Sequence, residues 1–301
     1  ALAFLAFSEW KCDLVVLETG MGGALDATNV VKNVKMNVVT TIAMDHQKFL
    51  GDTIEEIAVQ KAGIITNAAP VVTVQESSEA LQVIQNRCEE KKAPLYVLNR
   101  KEISGLSCEA GETKFCYRGE TYTIRMCGQY QVENACLALL ALQVLEPLPP
   151  EIIQKGMAEA RWLGRFDYVK KSPVWIADGA HNPQGMESLL ASLRQMYPDK
   201  KRIGIMGVFA DKDHRKMCQK LAEDSWFQKI FTIQAPGPRG LSAESLAEEL
   251  ASFGMQSRSC TSLAEAVEEV KELQKMEENG TVVVCFGSLS FMKELYQIMG
   301  E

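Results

Sequence analysis

The sequence predicts an α/β protein of two domains built on parallel sheets. Two observations carry this. Short continuous apolar runs alternate with helical segments along the chain, and such alternation calls for crossover connections and parallel strands with helices on both faces. The length of 301 residues suits two domains at about 150 residues each. With 47% hydrophobic and 24% charged residues, the chain can bury a sizeable core, which rules out a disordered or collagen-like protein.

The elements follow in order. The opening run ALAFLAF is too short to span a bilayer. It lacks the basic segment and small-residue cleavage site of a signal peptide. The chain does not open with Met, so it is expected to start part-way through a longer protein. Residues 13–17 (DLVVL) and 36–43 (MNVVTTIA) read as buried parallel strands. Thr53 and Glu56 make a reciprocal capping box that starts a helix. That helix is expected to run to about Lys61 and to stop at Gly63. Residues 71–74 read as a strand and 77–92 as a charged amphipathic helix. Two β-rich runs flank Arg118-Gly119-Glu120 and predict a hairpin within 113–127. Gln131 to Leu145 is helical, and Pro147, Pro149 and Pro150 interrupt that pattern.

In the second half, 174–177, 202–208, 229–233 and 281–286 read as strands, and 183–197, 213–225, 242–253 and 262–276 as helices. Asn182-Pro183 is an N-cap followed by Pro at the first helical position. Ser262 and Glu265 form a second capping box. The domain boundary is expected near Glu159–Phe166, dividing the chain into 1–159 and 160–301.

The formal charge of −7, from 32 Lys and Arg against 39 Asp and Glu, speaks against nucleic-acid or anionic-membrane binding, which needs basic surface. It leaves nucleotides open, because a phosphate site needs only a few local donors. The nine Cys include no C-x-x-C pair and read as free thiols of a reducing cytoplasm rather than a disulfide framework or zinc site. Three His exclude a His-rich metal centre.

Ligands of open α/β sheets sit at the carboxyl ends of strands, so the polar residues there are the candidates. Glu18 opens LETGMGGALDATN, where glycines allow close backbone approach and a strand-tip carboxylate can hold a hard cation. A capping Glu in a tight turn is the simpler reading, and the pattern also resembles the first motif of S-adenosylmethionine methyltransferases. His46 follows Asp45 after the second strand. A lone His is more often a satisfied structural residue, but here a metal-ligand reading gains because the ends of the two strands should be neighbours. Lys61 sits in the last turn of its helix, where a cation is favourable without any further role. GQYQVENA, containing Asn134, reads by itself as a capped helix start. Arg165, in GRFD between the domains, can reach a phosphate. Asp178 and His181 lie in ADGAHNP, and a bare strand-to-helix turn would not need both.

Taken together, LETGMGGALDATN, MDHQKFLGDTIEEIAVQKAGI, GQYQVENA, GRFD, ADGAHNP, FADKD and FGSLSF resemble the folylpolyglutamate synthase/dihydrofolate synthase family of the Mur ligase superfamily, over nearly the whole chain. The resemblance implies a P-loop-type Mur ligase central domain, incomplete at its N-terminus, followed by a Rossmann-like glutamate ligase domain. It implies an ATP-dependent ligase that joins L-glutamate to a folate or dihydropteroate. ATP phosphorylates the carboxylate, and the glutamate amine attacks the acyl phosphate. Carried over by motif, Glu18 and His46 would hold Mg²⁺, with Lys61 as the lysine that carries a carbamate. Asn134, Arg165 and Asp178 would contact ATP, and His181 would stand beside them in the active site. Lys212 and Ser288 would hold the carboxylates of glutamate. A monomer is implied.

Two departures stand out. The family's phosphate-cradling loop ends in Gly-Lys-Ser, and this chain has no Gly-Lys dipeptide. The loop is expected upstream of Ala1, and the 301-residue chain alone is expected to show little ligase activity. Ala24 stands where many bacterial members have Arg. The alternatives are a methyltransferase, which leaves ADGAHNP unexplained, and an inactive nucleotide-binding remnant.

Overall fold

A computed structural model of the chain describes residues 1–44, 47–75, 77–109, 111–276 and 280–300. These form two compact units, Ala1–Asn99 with Leu137–Pro147 and Arg100–Cys136 with Leu148–Glu301.

The first unit contains α1 (Leu2–Glu9), β1 (Asn37–Val39), α2 (Gln47–Leu50), α3 (Ile54–Ala62), β2 (Val71–Thr73), α4 (Ser78–Lys91) and β3 (Leu95–Val97). The three strands pair in parallel in the order β1-β2-β3. Both halves of the Thr53–Glu56 capping box form at the start of α3. Ile57 and Ala62 of α3 and Ile84 and Cys88 of α4 join Val39 and Val71 in one core. Two sequence expectations change here. Residues 13–17 make no strand, and Leu14, Val15 and Val16 are exposed; a parallel strand needs a backbone ladder, and this run pairs with none. The 36–43 run is paired only over Asn37–Val39. Beyond it, Gln75 replaces the ladder: its side chain accepts the Ile42 N–H at 3.1 Å and donates to the Thr40 carbonyl at 2.9 Å.

The second unit opens with an antiparallel meander, β4 (Ile103–Glu109), β5 (Glu112–Tyr117) and β6 (Glu120–Ile124). Arg118 and Gly119 both have positive φ, 52° and 84°, as a two-residue hairpin loop matched to strand twist requires. Next come α5 (Gln129–Leu145), whose C-terminal part lies in the first unit, and α6 (Pro150–Glu159). Pro149 and Pro150 do not merely interrupt: Pro150 is the first residue of α6, a position where the missing N–H costs nothing.

The larger sheet comprises β7 (Asp167–Lys171), β8 (Val174–Asp178), β9 (Arg202–Met206), β10 (Phe227–Thr232), β11 (Ser257–Ser259) and β12 (Val282–Phe286). Its order is β11-β10-β9-β12-β8-β7. All neighbours are parallel except β7 and β8. The helices are α7 (Pro183–Met196), α8 (His214–Asp224), α9 (Ala243–Ser252), α10 (Leu263–Met276) and α11 (Met292–Met299). Strand side chains alternate between faces. Ile176, Val282, Val284 and Phe286 pack with Leu189 of α7, Leu221 of α8 and Leu250 of α9. Trp175, Ala177, Val283 and Cys285 pack with Val267 and Val270 of α10 and Leu295 of α11. Two hydrophobic layers thus clamp one sheet, as the alternating pattern predicts.

Candidate active site

In the first unit, the glycine-rich turn is docked on the end of α3. The Ala24 N–H donates to the Gln60 carbonyl at 2.9 Å, and Asn29 Nδ2 donates to the Gly63 carbonyl at 3.1 Å. A Cβ on Gly23 would lie 2.7 Å from the Gln60 oxygen, and one on Gly63 would lie 2.4 Å from Ala24 Cβ. Gly63 has φ −59°, so it is needed for this close approach rather than for a left-handed cap. The turn that follows Glu18 and the helix end that carries Lys61 are therefore held together. Glu18 is exposed and Lys61 half-buried.

Asp26, which sequence reasoning passed over, organises the turn. It accepts the N–H groups of Gly20, Met21 and Thr28 at 2.9–3.0 Å and the Thr28 hydroxyl at 2.6 Å. Led by that hydroxyl bond, these donors hold its carboxyl down at about 2. The signal was in the sequence: Asp two residues before Thr is a side-chain turn pattern. His46 lies outside the described residues. Among the described residues, no three His, Cys, Asp or Glu side chains gather as a metal cluster.

In the second unit, the site is built at the carboxyl ends of β8 and β12. Asp178 ends β8 and is only 4% exposed. Its Oδ2 accepts the Phe166 N–H at 2.8 Å and the Tyr130 hydroxyl at 3.0 Å, and its Oδ1 accepts the Ala180 N–H at 2.8 Å. The Gly179 N–H donates to the Gly164 carbonyl at 2.7 Å. These bonds fix the loop on either side of half-buried Arg165. Burial pushes the Asp178 carboxyl up, against the opposing pull of its donors and of the Arg165 charge. Burial beside Asp178 also pushes the Tyr130 phenol up.

The other candidates of this unit differ in their surroundings. His181 is half-buried, with Nδ1 2.7 Å from the Gly179 carbonyl oxygen. Asn182 accepts the Gly185 N–H at 2.7 Å and caps α7, with Pro183 at the first helical position. Ser288 is buried, and its hydroxyl accepts the Ser290 N–H at 3.2 Å to cap the short turn before α11. The adjoining Leu289 side chain fills the space that a Cβ on Gly164 or Gly179 would need. Asn134 is exposed on α5, and its amide donates to Gln131 at 3.3 Å. Lys212 lies half-buried on the loop between β9 and α8. Arg165, Asp178 and His181 are thus brought together with the chain beside Ser288.

Tyr130 is a second residue the sequence reading missed. It sits inside a motif already singled out, but a tyrosine at a helix start carries no polar signature until its partner is known. Gly128, at φ 98°, makes its placement possible: a Cβ there would lie 2.8 Å from the Tyr130 ring. A depression lined by Leu50, Asp52, Glu56 and Gln60 and another lined by Gln234, Thr261 and Glu294 include none of the candidate residues.

Residues 1–142 match the Mur ligase middle domain, and residues 164–289 match the Mur ligase glutamate ligase domain. The chain is 33% identical over 310 residues to the dihydrofolate synthase/folylpolyglutamate synthase of Bacillus subtilis, covering 98% of this chain and 70% of that protein. It is 32% identical over 253 residues to the folylpolyglutamate synthase of Lacticaseibacillus casei, covering 80% of this chain and 58% of that protein. Among solved structures, it resembles Mycobacterium tuberculosis folylpolyglutamate synthase complexed with ADP and AMPPCP. That match has a TM-score of 0.88 and 27% identity, over 100% of this chain and 71% of the other. The Escherichia coli FolC complex with DHPP and ADP matches with a TM-score of 0.83 and 29% identity, over 99% and 69%. These relatives decide for the ligase reading and against the methyltransferase. The chain belongs to the dihydrofolate synthase/folylpolyglutamate synthase family of Mur ligases.

Proposed function

We propose that the protein forms an amide bond between the carboxylate of a folate or dihydropteroate and the amine of L-glutamate, with ATP as phosphoryl donor. A carboxylate is a poor electrophile until one oxygen becomes a leaving group, and phosphorylation supplies that group. Moving the phosphoryl group requires cationic side chains held in place around its oxygens. The observation that carries the reading is the buried Asp178, whose bonds to Phe166 and Ala180 fix the residue after Arg165 and the residue before His181. Arg165 is the phosphate-facing cation. Asn134, exposed on the same helix as Tyr130, and Asp178 complete the nucleotide contacts. His181 is the active-site imidazole. Lys212 and Ser288 receive the glutamate carboxylates.

Glu18, His46 and a carbamylated Lys61 are the proposed Mg²⁺ ligands, and the ion would neutralise phosphate charge when bound. The docking of the Glu18 turn on the Lys61 helix end supports keeping those two residues in one set. The proposed functional division is 1–159, the ATP-binding domain, and 160–301, the glutamate ligase domain; the matched segments 1–142 and 164–289 support it. A cytoplasmic monomer that binds neither nucleic acid nor membrane completes the proposal. The net charge of −7 supports it, and among the described residues no helix is long and apolar enough to cross a membrane. The test is transfer of labelled glutamate to folate or dihydropteroate by the protein in its full length. Product that requires ATP and appears with equimolar ADP supports the proposal. Methyl transfer from S-adenosylmethionine without ATP hydrolysis would overturn it.

A further inference from the structure

Cys108, near the end of β4, and Cys127, between β6 and α5, place their sulfurs 2.7 Å apart. The pairing is built into the meander. Cys108 is the register partner of Thr113, and Thr113 in turn pairs with Ile124. The buried Thr113 hydroxyl lies 3.2 Å from Cys108 Sγ and 2.9 Å from the Met126 carbonyl, one residue before Cys127. One side chain therefore holds both arms of the pair. We propose that Cys108 and Cys127 form a reversible dithiol–disulfide couple, a redox modification site on the second unit.

The two thiols are unequal. Cys108 is half-buried, and its bond to Cys127 brings its thiol down to about 7. Cys127 is buried among Phe166 and Ile176, and its thiol is pushed up. By contrast, burial pushes Cys136 and Cys218 up to about 12 and Cys260 up to about 11. Among the described residues, no third metal-ligating side chain joins the pair. Cys108 is the attacking thiolate and Cys127 the resolving thiol.

The oxidant is a hydroperoxide. The Cys108 thiolate attacks the O–O bond and becomes a sulfenic acid, and the first oxygen leaves as water or an alcohol. Cys127 sulfur then attacks the Cys108 sulfur, the S–S bond forms, and the sulfenic oxygen departs as water with the Cys127 proton. Two thiols and one hydrogen peroxide thus give one disulfide and two waters. A small dithiol reverses the step by thiol–disulfide exchange and is itself oxidised to its disulfide. Such couples occur in reducing compartments as transient, sensing bonds.

The test oxidises the reduced, folded protein with hydrogen peroxide, blocks remaining thiols and maps tryptic peptides by mass spectrometry. The expected product has lost two hydrogens and links the peptide 102–114 to 126–155, about tenfold faster than exposed Cys12 is oxidised. Cys136 shares the second peptide, so Cys136→Ser must keep the link. Cys127→Ser must lose it and accumulate a Cys108 sulfenic acid that dimedone traps. Dithiothreitol must restore both thiols. Wild-type protein whose Cys108 and Cys127 both remain alkylatable after peroxide, or a link that disappears in Cys136→Ser, would overturn the proposal. The outcome is independent of whether the protein ligates glutamate.

Discussion

The Tyr130 hydroxyl donates to Asp178 Oδ2 at 3.0 Å, and the same oxygen accepts the Phe166 N–H at 2.8 Å. One buried carboxylate thereby ties the start of α5 to the loop that carries Arg165. Tyr130 is thereby a positioning residue for Asp178, the group proposed to contact the nucleotide.

Tyr130→Phe is expected to cost about 1.5–3 kcal/mol of stability, the net worth of a hydrogen bond to a carboxylate. ADP affinity should fall several-fold. Urea unfolding and an ADP titration check both, and wild-type values in both would remove Tyr130 from the positioning role.

Two carboxyls give opposite pH dependences. Asp178 is raised above its ordinary 3.8, so the folded state binds the extra proton. Its contribution to stability is greatest below 3.8 and is lost as pH rises through its folded value. Asp26 is lowered from 3.8 to about 2. Its contribution is present above 3.8 and is lost as pH falls through about 2. Asp26→Asn should therefore flatten the acid limb of a stability profile, by on the order of 1 kcal/mol after solvent screening. Asp178→Asn should remove a fall on the side above 3.8. Urea midpoints across pH 2–7 separate the two, and reversed slopes would contradict the assignment.

Gly63→Ala places a methyl 2.4 Å from Ala24 Cβ, and overpacking of this kind costs about 1–3 kcal/mol. Gly119→Ala, with nothing within 4 Å but φ 84°, should cost only about 1 kcal/mol. Thermal unfolding of the two variants ranks them, and an equal loss would show that the Glu18 turn is not seated on α3.

Asp224 holds two arginines. It bonds Arg202, whose side chain is wholly buried, and also Arg194 at 2.7 Å. Arg202 Nε and Nη2 already lack hydrogen-bond partners. Asp224→Ala leaves a buried guanidinium uncompensated and should cost about 3–5 kcal/mol. Pairing it with Arg202→Met should recover much of that loss. A loss in the double variant equal to that in Asp224→Ala would show that the stranded charge is not the cause.

The second half was the more legible. Its strands are buried on both faces, so VWIA and TVVVCF stand out as unbroken apolar runs. Asn182-Pro183 marked the start of α7, which begins at Pro183. The edges were not legible. β7 reads DYVKK and β11 reads SRS, since an edge strand needs little apolar surface and hides its pattern. Ser262 did accept the Glu265 N–H, but the Glu265 side chain reached Thr261 instead of closing the box on Ser262. Residues 13–17 failed because periodicity reports burial and cannot report whether a ladder partner is present. At the candidate site, motif spacing singled out Arg165, Asp178 and His181, which the structure places near one another. Tyr130 escaped because its role lies in one long-range hydrogen bond, 48 residues apart in sequence. His46 lies outside the described residues; His46→Ala in the full-length protein is expected to lower turnover strongly with little loss of stability.

The most direct measurement is folate- and glutamate-dependent ADP release by the full-length protein beside its Arg165→Ala variant. One ADP per amide formed is expected, with a loss of about a hundredfold or more in the variant, the scale seen when one charge-stabilising donor is removed from a transition state. Turnover in Arg165→Ala equal to that of the parent, or ADP release indifferent to both folate and glutamate, would contradict the proposal.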